Sequence, residues 1–343
     1  MNKVKRIIVY LAVLVAIAGI VTGVLFGQMF LPSKSVIGYS EQYSVVDREV
    51  PSFSVDGGGD FRVLQFTDTH LMNGSMKNDV NTLNAMKNQL ETVNPDLAVV
   101  TGDMVDGKNA NITYNKKAAL EAVGNMFEEV GIYWAYVPGN NDGEFRGSTE
   151  DVAAFLSQYE HCIVSNTESI TGATHYTVDI NDNGETVHSL VFIDSLARDE
   201  NNKYDFVKDD QLEWLTNTLE SKKNDDINCS LFFHMNTPAF LSAVSGGEPY
   251  SNDYSPIPED YTYTIEKNDK LDKVIDKSGC VGLVAIGHVH PDKNRCSFYD
   301  GRYYHIAKPS GFRTYEQPSC TLITIHTAET QYRDMYDFQE IMF

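Results

Sequence analysis

A chain of 343 residues with 42% hydrophobic content is long enough for one large core or two modest ones. Forty-eight acidic against 27 basic residues give a net charge of −21, which repels phosphate backbones and argues against nucleic acid as a main partner. Five cysteines (Cys162, Cys229, Cys280, Cys296 and Cys320) show no C-x-x-C spacing, so a zinc ribbon, a redox pair and a disulfide framework are disfavoured and buried structural thiols expected.

Lys3, Lys5 and Arg6 precede an uncharged run from Ile7 to Leu31, closed by Pro32. A helix of that length, at about 1.5 Å per residue, covers the roughly 30 Å hydrocarbon core of a bilayer. Residues 1–32 are therefore expected to be a cytoplasmic tip and one uncleaved signal-anchor helix, leaving the rest of the chain membrane-anchored and extracytoplasmic. A cleaved signal peptide is the rival, but the A-x-A match, Ala16-Ile17-Ala18, lies inside the run. Residues 33–59, with Gly57 to Gly59, read as a linker, and 60–343 as one catalytic domain.

From Phe61 the pattern is regular. Phe61 to Phe66 predicts a strand stopped by Thr67-Asp68-Thr69-His70, and Val80, Leu83, Leu90 and Val93 recur at helical spacing up to Pro95. Leu97 to Val100 is the next strand, ending in Gly102-Asp103. Ala119, Val123, Met126 and Val130 mark a second helix, and the strand Ile132 to Val137 ends in Gly139-Asn140-Asn141-Asp142. Three strand–loop units separated by helices thus present polar groups past the carboxyl end of each strand, where open α/β sheets bind ligands.

The second half is richer in β signals. Thr174–Ile180 and Thr186–Ile193 flank an Asn183-Gly184 turn, and a helix through Leu212, Leu215 and Leu219 leads to the strand Leu231 to Phe233, which ends in His234. Residues 245–263 read as a long lid-like loop carrying Tyr250, Tyr254, Tyr261 and Tyr263. The buried strand Val281 to Ile286 ends in Gly287-His288-Val289-His290. Two histidines at i and i+2 point to opposite faces of a regular strand, so they can share a site only where the chain turns, as the glycine suggests. Strands near Tyr303–Ala307, Thr321–Thr327 and Tyr332–Phe338 close the chain.

The loop residues Asp68, His70, Asp103, Asn140, His234, His288 and His290 form an oxygen- and nitrogen-rich set without thiolate, which suits Mn, Fe or Zn. The set is too large for one tetrahedral ion and suits two divalent or trivalent ions, which together can hold a hydroxide and clamp the oxygens of an in-line displacement.

The ordered set Asp-x-His, Gly-Asp, Gly-Asn, a lone His after a strand, and Gly-His-x-His, running from about Phe61 to Ala307, resembles the calcineurin-like metallophosphoesterase superfamily. Phe61 to Asp68 and Pro95 to Asp103 are most similar to its purple-acid-phosphatase-related branch. The resemblance implies a four-layer α/β/β/α metallophosphoesterase sandwich. It implies that Asp68, His70 and His290 hold one ion, that Asn140, His234 and His288 hold the other, and that Asp103 bridges them. It further implies a metal-dependent phosphoric ester hydrolase in which a metal-bridging hydroxide attacks a phosphate ester, with phosphomonoesters favoured. The alternatives are a phosphodiesterase or pyrophosphatase, on lipid-linked substrate for instance, or a metal-binding pseudoenzyme.

The pseudoenzyme reading stands because the family's Gly-Asn-His-Asp/Glu block is Gly139-Asn140-Asn141-Asp142 here. Asn141 can donate a hydrogen bond to a phosphoryl oxygen but cannot deliver a proton. Asn141 and Asp142 are the candidate catalytic residues beside the ligands. The tyrosine ligand of purple acid phosphatases has no counterpart among Met104, Val105 and Asp106, so ferric-tyrosinate chemistry is not expected, and Asp106 reads as a supporting or helix-capping carboxylate. His305 is a candidate for the cleft edge, Arg146 and Arg313 for reaching phosphate, and His161, His175, His188 and His326 for no functional role.

Overall fold

Alternating apolar runs and helical stretches in the first half build a parallel sheet. The computed structural model describes residues 50–107, 114–144, 147–166, 170–201, 203–250 and 268–343, with short pieces at 10, 13–15 and 44–46. Strands β1 (Phe53–Val55) and β2 (Asp60–Phe66) are followed by helix α1 (Lys77–Val93), β3 (Leu97–Val100), α2 (Lys116–Val130) and β4 (Trp134–Tyr136). The one-turn helix α3 (Asn140–Gly143), α4 (Thr149–Leu156) and β5 (Cys162–Ile163) complete this half. Helix α1 stops at Asn94, whose φ of 47° turns its N–H onto Leu90 O just before Pro95. Helix α2 starts where the Asn115 side chain accepts from Ala118 N and ends at Gly131, φ 73°.

The second half opens with the hairpin β6 (His175–Asp182) and β7 (Glu185–Ile193). Its turn residues Asn183 (φ 53°) and Gly184 (φ 86°) both adopt the left-handed backbone that a two-residue turn requires. Then follow α5 (Asp209–Asn224), β8 (Asn228–Phe232), α6 (Pro238–Gly246), β9 (Glu248–Pro249), α7 (Asp269–Ser278), β10 (Val281–Ile286), β11 (Arg295–Tyr299), β12 (Arg302–Ile306) and β13 (Ser319–His326). The chain closes with α8 (Tyr332–Met335) and β14 (Tyr336–Met342). The stretch expected as one strand from Tyr332 thus begins as a helical turn, and β11, masked in sequence by its charged and polar positions, was not foreseen.

The six-stranded sheet runs β14-β13-β2-β3-β4-β5, with β2 to β5 parallel and β13 antiparallel to β2. The eight-stranded sheet runs β1-β6-β7-β8-β10-β12-β11-β9, with β7, β8, β10 and β12 parallel. Side chains from both sheets, Val63, Val99, Phe192, Phe232, Leu283 and Ile323 among them, form one buried cluster. Met86, Leu120 and Phe127 of α1 and α2 pack on the outer face of the smaller sheet, and Leu215, Leu219, Phe240 and Ile275 of α5, α6 and α7 on that of the larger. The layers are therefore α/β/β/α, as the resemblance implied.

All five cysteines are buried free thiols. Among the described residues no helix is long and apolar enough to cross a membrane; the anchor expected over residues 7–31 lies outside them, apart from Tyr10 and residues 13–15.

Candidate metal centre

The parallel strands of both sheets bring the expected residues together past their carboxyl ends: β2 delivers Asp68 and His70, β3 Asp103, β4 Asn140, β8 His234, and β10 His288 and His290. Five of them have left-handed backbone: Asp68 (φ 50°), His70 (47°), Asp103 (49°), His288 (65°) and His290 (52°). Such conformations cost roughly 1–3 kcal/mol each for residues with a Cβ and persist only where surrounding structure holds them. Here they turn the chain so that residues two apart face the same side. The loops are zipped by Asp68 N to Gly102 O (3.0 Å), His70 N to Asp103 O (3.0 Å) and Leu71 N to Met104 O (2.9 Å). Gly287 allows the closest approach, since a Cβ there would lie 2.0 Å from Thr67 Oγ1 and 2.6 Å from Asp68 Oδ2.

Two groups of ligand atoms result, each within 4.8 Å: Asp68, His70, Asp103 and His290 in one, and Asp103, His234 and His288 in the other. Asp103 belongs to both. In the first, His290 Nε2 lies 2.9 Å from Asp68 Oδ1 and 3.1 Å from His70 Nε2, while Asp68 Oδ2 accepts from Thr67 Oγ1 (2.7 Å) and His288 N (3.0 Å). In the second, His234 Nδ1 donates to Thr101 O at 2.7 Å, which leaves Nε2, 3.4 Å from Asp103 Oδ1, as the ring nitrogen turned to the site.

Among the buried side-chain atoms without a hydrogen-bond partner, three lie in this site: Asn140 Oδ1, His234 Nε2 and His288 Nε2. Buried polar atoms are nearly always satisfied. These three belong to residues expected to share one ion, and with the two ligand groups that meet at Asp103 the residues present fit a pair of metal ions.

The electrostatics agree. Burial alone would raise the carboxyls of Asp68 and Asp103, but the neighbouring imidazoles of His290, His70 and His234 hold both well below the usual range. Burial opposes charging of His234, yet Asp103 raises it to about 9; His288, buried and beside His234, is pushed down to about 3. The pocket is thus a field of fixed carboxylates that wants positive charge.

The two expected catalytic residues are both held by hydrogen bonds to the loops around Asp103. Asn141 is turned onto Asp103: its backbone N donates to Asp103 Oδ1 at 2.7 Å and its side-chain amide to Asp103 Oδ2, which sets the carboxylate. Asp142 is fully buried, and its carboxylate accepts from Val105 N (3.1 Å), Gly139 N (2.9 Å) and Tyr136 OH (2.9 Å). It locks α3 against the Asp103 loop. Lys116 Nζ, also buried, donates to Asp142 O.

Elsewhere the structure corrects His305, which is buried between the sheets, stacked on Phe338 with ring centroids 5.3 Å apart, and is not at the cleft edge. Asp106 pairs with Arg313 at 2.9 Å. Tyr250 packs on Tyr303 and Phe338 and donates to Asp337. Arg146, Tyr254, Tyr261 and Tyr263 lie outside the described residues. The sequence gives no motif for Glu144, which lies beside Asn140, for Tyr204, which packs on His288, or for Arg198, which holds Glu144.

Two sheets carrying a divided oxygen–nitrogen ligand cluster at their carboxyl ends define a dinuclear metal-binding architecture. The sequence model of the calcineurin-like phosphoesterase family matches residues 61–292, and the chain belongs to that family. It is 26% identical over 299 residues to "Probable inactive purple acid phosphatase 28" of Arabidopsis thaliana, covering 76% of this chain and 73% of that one. To "Probable inactive purple acid phosphatase 29" of the same plant it is 25% identical over 279 residues, covering 69% and 68%. Among solved structures, a dimetal phosphatase from Danio rerio superposes with a TM-score of 0.54 at 12% identity, covering 81% of this chain and 98% of that one, a likeness of fold.

Proposed function

We propose that the protein is a dinuclear metal-dependent phosphoesterase, with phosphomonoesters its favoured substrates. The observation that carries this reading is the convergence of Asp68, His70, His290, His234 and His288 on shared Asp103, with the buried Nε2 atoms of His234 and His288 lacking a hydrogen-bond partner. Asp68, His70 and His290 would hold one ion, Asn140, His234 and His288 the other, and Asp103 both. When bound, such a pair supplies a water of lowered pKa and neutralises charge building on phosphoryl oxygens.

The chain's own residues supply the rest. Thr101 O orients the His234 ring, Thr67 Oγ1 and His288 N orient Asp68, and Asn141 orients Asp103 with two donors. No imidazole stands at 141 to protonate a leaving oxygen, and general-acid help is typically worth about 10²–10⁴ in rate. The enzyme is therefore biased toward good leaving groups such as aryl phosphates.

A second reading, a metal-binding protein without turnover, draws support from the Asn141 amide committed to Asp103 and from relatives whose names call them inactive. Metal analysis of the purified chain, then assays of aryl monoesters, diesters and pyrophosphate with Mn²⁺, separates the readings. Two bound ions with aryl monoester turnover are expected. Two ions with no turnover on any substrate sink the hydrolase reading in favour of the second.

The membrane anchor over residues 7–31 and the extracytoplasmic placement of the domain complete the proposal. They are supported by the length of the uncharged run and the basic residues before it.

A further inference from the structure

The segment after β7 folds back on itself. Asp199 N donates to Lys203 O (2.8 Å), Asp205 N to Ala197 O (3.1 Å), and Arg198 pairs with Tyr204 as an isolated antiparallel bridge. The Arg198 guanidinium carbon lies 4.3 Å from the centre of the Tyr204 ring, so the two side chains act as one unit.

From that unit two contacts run to the second group of ligands. The Tyr204 ring meets the His288 ring at right angles, with centroids 5.2 Å apart, while His234 holds the same ring from another side at 5.1 Å. Arg198 Nε donates to Glu144 Oε1 at 2.5 Å, and that oxygen lies 3.5 Å from Asn140 Nδ2. The residues expected at the first ion are braced from elsewhere: Thr67 Oγ1 donates to Asp68, and Tyr315 OH to the carbonyl of His290.

Each contact solves a particular problem. A neutral amide ligand can flip and present its NH₂ to a cation. Glu144 on the Nδ2 side selects the orientation in which Oδ1, the buried unpartnered atom, faces the site. An unrestrained Glu144 would swing, and Arg198 holds it. An imidazole that rotates carries its lone pair off target, and Tyr204 with His234 blocks that rotation.

We propose that Arg198 and Tyr204 are positioning residues that set the affinity of the second ion without affecting the first. This inference rests on the dinuclear reading above. The test uses the full-length chain, stripped by chelator and titrated with Mn²⁺ alone, read by calorimetry and by electron paramagnetic resonance. The wild type should take up two ions and show the signal of a magnetically coupled pair.

Arg198→Ala and Tyr204→Ala should bind the first ion as the wild type does, which also certifies their folding. They should bind the second about tenfold or more weakly. At two equivalents their spectrum should be that of isolated Mn²⁺. Tyr204→Phe should behave as the wild type, because the contact is made by the ring. Unchanged second-ion affinity in both alanine variants, or loss of both ions together, overturns the inference. Fewer than two ions on the wild type overturns the dinuclear reading itself.

Discussion

At position 141 an amide stands where related motifs carry an imidazole, and it is turned onto Asp103. Replacing it tests whether the missing proton donor limits the chemistry. Asn141→His should raise kcat on an alkyl phosphate by about tenfold or more, with a smaller gain on an aryl phosphate whose leaving group needs no proton. Equal effects on both substrates, or none, would remove the leaving-group account. Its neighbour works differently. Asp142 accepts three hydrogen bonds with no exposed surface, and an amide there would put an NH₂ group against a donor. Asp142→Asn should therefore lower stability to urea by about 1–3 kcal/mol. A variant as stable as the wild type would show that the lock on α3 is dispensable.

Strands place polar groups inside the fold as well as at its rim. On β7, His188 Nε2 lies 2.9 Å from Ser230 Oγ of β8, which lies 3.1 Å from the Tyr336 hydroxyl of β14, so a buried polar relay joins the two sheets. Burial holds the His188 imidazole down at about 3. The folded chain leaves this group neutral while the unfolded chain protonates it below about 6.5. Its contribution to stability is therefore complete above that pH and falls as the pH drops toward 3, by about 1.4 kcal/mol per unit. In His188→Gln that term is absent. Urea unfolding should show the stability gap between variant and wild type narrowing by about 2 kcal/mol from pH 7 to pH 5. A gap that does not move would mean the imidazole is solvated in the folded state.

For the molecule as a whole, the net charge of −21 and the buried carboxylates Asp68 and Asp103 make bound cations a stabilising ligand of the native state. Ions that bind only the folded chain add about 2.7 kcal/mol at a hundredfold excess over their dissociation constant. Chelation should accordingly lower the Tm by several degrees and restored Mn²⁺ should recover it; a Tm indifferent to both would count against occupancy. The anchor is tested separately. The full chain should sediment with membranes through alkaline carbonate washing, whereas a chain lacking residues 1–32 should remain in the supernatant, and equal partition of both would remove the anchor.

Much of this protein was legible from local pattern. Leu97 to Val100 and Val281 to Ile286 are apolar runs whose ends are marked by glycine, and both strands have those bounds in the structure. The placement of the seven candidate residues was legible too, because each sits one or a few positions past a strand, and strand ends are written in local hydrophobicity. Other features depend on contacts between distant segments. The turn of Asn141 onto Asp103, the burial of His305 between sheets, and the brace of Glu144 by Arg198 pair residues from separate loops and strands. No periodicity encodes such pairs, since they follow from how two sheets stack and which loops then meet. Local chemistry therefore chose which side chains lie at the rim, and only the packing of the layers decided which of them converge on Asp103 and which hold another residue in place.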